Sequence, residues 1–192
     1  MLCFDKILIV KRIKHLLYLP FKWMYLSRLK KNLFKHKDQA MVVFDIDNTL
    51  AATAPILRTT GQSESFYKSL PVIYKMNDLI KSYEEKGYHV FFLTARRYKY
   101  EEATFYWLKS NAWVKYKYQL LIVRFAEDKM AFLDKMKNHS KVKIDYWDDL
   151  TYNHENEELK FYQKVIEEVK QKDWIQYFGY KEIEKETKCI NI

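Results

Sequence analysis

The sequence predicts an α/β fold, a parallel sheet between two layers of helices, preceded by a basic helical leader. Three observations carry this. From Met41 onward, short apolar runs alternate with segments of helical periodicity, as in strands joined by crossover helices. The residues able to do chemistry follow directly after the apolar runs, where open parallel sheets bind their ligands. The charge is divided: residues 1–40 hold ten Lys/Arg and two acids, giving +8 of the chain's net +9.

The elements follow in order. In the leader, residues 1–40, Ile9, Val10, Ile13, Leu16 and Leu17 share one face of a helix. Pro20 is expected to break or kink that helix. The stretch from Phe21 to Lys37 is basic and aromatic with poor periodicity. No apolar run reaches the ~18 residues of a spanning helix, and no small-residue cleavage site follows an apolar stretch. Three readings stay open: an anionic membrane surface, a nucleic-acid backbone, or a helical hairpin packed on the body. The appendage reading predicts that deleting residues 1–37 leaves the activity of the remaining body largely unchanged.

Residues 41–192 form the second unit. Met41–Phe44 is a continuous apolar run, as in a central parallel strand. Val72–Lys86 reads as a helix after Pro71 that stops at Gly87. His89–Leu93 is the second strand, Tyr98–Ser110 the second helix and Tyr118–Val123 the third strand. Lys129–Lys137, Val142–Trp147 and Glu157–Gln171 are a helix, a strand and a helix, with a fifth strand over Trp174–Phe178.

With 48% hydrophobic and 31% charged residues, the chain is globular rather than disordered. Its three glycines and three prolines exclude long flexible linkers. Cys3 and Cys189 stand at opposite ends and form no metal motif or disulfide framework, which suits a reducing, cytoplasmic compartment.

After the first strand comes Asp45-Ile46-Asp47-Asn48-Thr49-Leu50. Two carboxylates at i and i+2 on a strand end are costly to hold together without a nearby cation. Thr94-Ala95-Arg96 follows the second strand, and Asp148-Asp149 the fourth, with Lys129 one helix and one strand before them. Asn48 tolerates a left-handed backbone. Asp145, a charge inside the fourth strand, has no account from sequence. Asn153, His154 and Glu155 read as loop residues.

This constellation resembles the haloacid dehalogenase superfamily of Rossmann-like phosphatases. An Asp-x-Asp-x-Thr loop (Asp45, Asp47, Thr49), a Thr (Thr94), a Lys (Lys129, with Lys135 as competitor) and an acidic pair (Asp148, Asp149) stand in the family's order over residues 41–178. The resemblance implies that Asp45 attacks phosphorus to give an aspartyl-phosphate, with Asp47 as general acid and base. It implies Mg2+ held by Asp45, the Asp47 carbonyl and Asp148, with Asp149 supporting. Thr94 and Lys129 would steady the phosphoryl oxygens. Thr49 and Arg96 are candidate substrate contacts. The spacing leaves no room for a separate cap domain.

A narrower likeness, carried by Thr94-Ala95-Arg96, Thr104, Trp107-Leu108, Leu120-Leu121, Arg124, Lys129 and Asp148-Asp149, points to the 3′-phosphatase domain of polynucleotide kinase–phosphatases. It departs at Leu150, where those enzymes carry Arg, and a P-loop is lacking. The implied substrates are nucleic-acid 3′-phosphate ends or nucleotides. The rival readings are a membrane-peripheral phosphatase for a lipid-linked or sugar phosphate and a catalytically silent binding module of the same fold.

Overall fold

A computed structural model describes residues 2–36, 39–54, 62–139, 143–152 and 159–188, with side chains from residue 16 onward. Helix α1 spans Leu2–Lys35 and strand β1 Met41–Phe44. Helices α2 (Glu64–Lys68) and α3 (Tyr74–Glu85) lead to β2 (His89–Ala95). Then come α4 (Glu101–Ser110), β3 (Leu120–Val123), α5 (Lys129–Lys137) and β4 (Ile144–Trp147). A two-strand hairpin, β5 (Thr151–Tyr152) and β6 (Lys160–Phe161), precedes α6 (Gln163–Lys170), β7 (Ile175–Phe178) and α7 (Tyr180–Lys188).

Five strands form one parallel sheet in the order β3-β2-β1-β4-β7. Phe44 pairs with Phe92 on one side and Trp147 on the other. The apolar runs of the central strand β1, Met41–Phe44, and of the edge strand β3, Leu120–Val123, are buried throughout, as expected of strands covered on both faces. Steps β1→β2→β3 go one way along the sheet and β3→β4→β7 the other. Right-handed crossovers therefore put α3 and α4 on one face and α5 and α6 on the opposite face. α7 packs against α3, and α1 packs against β3 and α5, completing the two outer layers.

Local chemistry sets the helices. Met76, Ile80 and Tyr83 form the buried stripe of α3. The helix ends at Gly87, whose φ of 79° is the left-handed stop that glycine adopts most readily. Asp145 now has an account: the Tyr83 hydroxyl donates to its carboxylate at 2.8 Å and accepts from the Trp147 indole at 3.1 Å. This polar chain joins α3 to β4. The final helix is shorter than its periodicity suggested, because residues 160–161 pair with 151–152 before it begins. Helix α7 had no sequence expectation. Asn153, His154 and Glu155 lie outside the described residues.

The leader differs most from expectation. Helix α1 continues through Pro20 without ending there. Tyr25, Leu29 and Leu33 are fully buried. Lys22 pairs with Asp128 at 2.6 Å, and Arg28 pairs with Glu101. Tyr18, Phe21 and Tyr25 gather around the Tyr98 ring. Asn32 meets His89 at the start of β2, whereas Tyr18 meets Phe125 beyond the end of β3. The helix therefore runs antiparallel to the strands. Its carboxyl half belongs to the core, so deleting residues 1–37 would open that core; the expectation of a dispensable leader does not survive this packing. Among the described residues, no helix is long and apolar enough to cross a membrane.

Candidate active site

The carboxyl ends of β1 and β4 and the start of α5 bring Asp45, Asp47, Lys129, Asp148 and Asp149 to the lining of one small cavity, with Thr49, Thr94 and Arg96 buried behind it. Asp45 follows β1, and its amide donates to the Trp147 carbonyl at 2.8 Å, continuing the ladder into the site. Asp148 and Asp149 follow β4. Lys129 opens α5 and reaches across: its Nζ donates to Asp45 Oδ1 at 2.8 Å and to Asp148 Oδ2 at 2.6 Å. All four side chains are buried. Lys129, and not Lys135, is the lysine at these carboxylates. The loop after Asp45 turns back on the Ile46 carbonyl with Asn48 at φ 57°, and Leu150, after the acidic pair, takes φ 46°.

The electrostatics follow from burial. Desolvation pushes Asp45 up to about 7; Lys129 opposes this and Asp148 adds to it. Desolvation also raises Asp149 well above the usual carboxylate range, with Asp148 and Asp45 contributing. Lys129 is raised: burial alone would lower it, but Asp148 and Asp45 outweigh burial. Among the described residues, three buried carboxylates gather around one ammonium. One oxygen from each of Asp45, Asp148 and Asp149 lies within 4.8 Å of the others. An all-oxygen carboxylate donor set of this kind fits a hard divalent cation.

Asp47 is disposed differently. Arg96 forks onto it, Nε to Oδ2 at 2.8 Å and Nη2 to Oδ1 at 2.7 Å. Thr53 donates to Oδ1 at 2.8 Å, and Thr94 to Oδ2 at 3.4 Å. Burial would raise Asp47, but the Arg96 guanidinium wins and holds it below its ordinary value. Arg96 is itself anchored by Thr104 at 3.0 Å and stacks over Tyr67. The guanidinium is buried and committed to Asp47 and Thr104, which leaves it turned away from the cavity. Thr49 likewise does not line the cavity: its hydroxyl accepts from the Asp149 amide at 3.3 Å. The expected substrate contacts of Thr49 and Arg96 are thus replaced by internal ones. Both residues are polar with well-placed internal partners, and sequence gives no sign of which way they turn.

Four contributors lay beyond sequence reasoning. Tyr146 donates to Asp148 Oδ2 and Thr151 to Asp149 Oδ2. Tyr177 donates to the Asp148 carbonyl at 2.9 Å. Tyr162 lines the cavity from the start of α6. Tyr146, in β4, stands two residues before Asp148, which directly follows the strand, a period-2 relation that places both on one face and was the available signal. The cavity is about 100 Å³. That is below the ~300–1,000 Å³ of sites that enclose whole small molecules.

A family model described as PITM 1-3, LNS2 domain matches residues 42–171. The chain belongs to this LNS2 domain family. The LNS2 span covers all four motifs, from β1 to the end of α6, and leaves α1, β7 and α7 outside it. Solved structures similar to the chain include the class C acid phosphatase from Bacillus anthracis, at 17% identity and a TM-score of 0.46, covering 87% of this chain and 82% of that one. The same enzyme with tungstate bound gives 17% identity and a TM-score of 0.45, covering 86% and 81%. No curated protein matches the chain.

Proposed function

We propose that this LNS2-family chain is a magnesium-dependent phosphomonoester hydrolase working through an aspartyl-phosphate on Asp45. The observation that carries the reading is the Asp45–Lys129–Asp148 triad, buried beside Asp149 at the carboxyl edge of the sheet. In the first half-reaction an Asp45 oxygen bonds to phosphorus as the ester P–O bond breaks, and Asp47 gives a proton to the leaving oxygen. In the second, Asp47 takes a proton from water, which bonds to phosphorus and frees Asp45 and inorganic phosphate. Lys129 and the Thr94 hydroxyl hold the phosphoryl oxygens against their growing charge. A Mg2+ ion on Asp45, Asp148, Asp149 and the Asp47 carbonyl would supply the charge neutralisation that lets an anionic nucleophile meet an anionic ester.

The small cavity supports a substrate whose phosphate enters while the remainder stays at the surface. Nucleotides, 3′-phosphorylated oligonucleotides, sugar phosphates and lipid-linked phosphates all have that form. Residues 1–40 would meet an anionic surface, a membrane or a nucleic acid. The test is release of inorganic phosphate from such a panel, with and without Mg2+. Loss of release in Asp45→Asn is expected; retained release would overturn the nucleophile.

One observation favours a second reading, a silent binding module. The Arg96 fork, with Thr53 and Thr94, engages both oxygens of Asp47, as suits a carboxylate held in place rather than one trading protons. Under this reading phosphate esters bind with Mg2+ and none turns over.

A further inference from the structure

Helix α1 carries two apolar faces, and only one meets the body. Residues 18, 22, 25, 29, 32 and 36 alternate spacings of four and three, and they pack inward. The opposite stripe is Leu16, Pro20, Trp23, Ser27, Lys30 and Phe34, with the same alternation. Leu16 is 63% exposed, Trp23 69% and Phe34 78%, with Leu17 and Met24 exposed alongside. Two opposed apolar stripes cancel each other's periodicity, which explains the irregular pattern of residues 21–37. An isolated surface apolar residue needs no explanation; a row of them along one helix face does.

We propose that this outward face of α1 docks on an anionic membrane surface. The occupant is chosen by chemistry. Lys30, Lys31 and Lys35 are exposed on and beside the stripe, and residues 1–40 carry net +8, which complements acidic headgroups. Trp23 suits headgroup depth, with Leu16, Met24 and Phe34 suiting the acyl boundary. A second copy of the chain fits poorly, because Pro20, Ser27 and Lys30 would occupy the seam and the lysines would face lysines. A nucleic-acid backbone would use the lysines and leave Leu16, Trp23 and Phe34 without a partner. This face lies outside the span of the LNS2 match, and the proposal does not depend on turnover at Asp45.

The test is co-sedimentation of the full chain with phosphatidylcholine vesicles and with vesicles containing roughly one-third phosphatidylserine. The expected result is binding to the anionic vesicles only, weakened by salt. It should fall by about tenfold or more in Trp23→Ser/Phe34→Ser and again in Lys30→Glu/Lys31→Glu. These side chains are exposed, so the variants should keep wild-type circular dichroism and wild-type phosphate release. Failure to bind anionic vesicles, or equal binding by the Trp23/Phe34 variant, would overturn the proposal. So would a dimer in light scattering that this variant dissociates, or tighter binding to a DNA duplex than to the vesicles. Vesicle binding by a wild-type chain that releases no phosphate from any ester would sink the hydrolase reading and leave this one standing.

Discussion

At Asp45 two demands of the proposed mechanism meet, a nucleophile that must be charged and a site that is dry. Burial pushes its carboxyl from 3.8 up to about 7. The folded chain therefore holds the proton more tightly than the unfolded chain does, and stability falls as pH rises from about 4 to about 7. Asp149, also raised, acts in the same direction. In chelator, the melting temperature should drop between about pH 5.5 and about pH 7.5, and Mg2+ should raise it more at the higher pH. An equal Mg2+ effect at both would mean that the ion binds away from these carboxylates. Arg96 offers a second check. Replacing it with Met leaves a largely buried Asp47 unpaired and should cost about 3–5 kcal/mol by urea denaturation. A cost within noise would mean the fork is not formed. Sequence placed Asp45, Asp47, Thr94, Lys129, Asp148 and Asp149 at one edge of the sheet because each follows or faces a strand end, and the structure brings them together there. It gave no sign of the internal partners of Thr49 and Arg96, because a side chain's partner across the fold leaves no local pattern.

At the scale of elements, the strands were legible since unbroken apolar runs are what a doubly covered sheet requires. Helix α3 was legible from its periodicity and from Gly87. Helix α1 was not, because its two apolar faces blur its period and Pro20 suggested a break that does not occur. Its inward face has a measurable consequence. Leu29→Ala should cost about 2–5 kcal/mol in chemical denaturation, as for any large core residue, although it lies far from the catalytic motifs in sequence. A change below about 0.5 kcal/mol would return α1 to the status of an appendage. The β5–β6 hairpin escaped notice because each strand is two residues long, too short for alternation to register.

Across the whole molecule, topology explains why the site forms where it does. The strand order reverses direction at β1, so α3 and α5 leave on opposite faces and open a crevice at the β1–β4 carboxyl edge. Asp45 and Asp148 stand on the two lips of that crevice, and Lys129 bridges them from the start of α5. The arrangement concentrates three carboxylates where a cation and a phosphate can offset one another, while the remaining helices shield the sheet from water.

The most direct measurement is a phosphoenzyme assay under Mg2+ with a fast-reacting aryl phosphate, wild type against Asp45→Asn. A hydroxylamine-sensitive acyl-phosphate is expected on the wild-type chain, with phosphate release that depends on Mg2+. In the variant both should be lost, with turnover down by at least about four orders of magnitude. Release that persists in a folded Asp45→Asn chain, or that proceeds equally well in chelator, would contradict it.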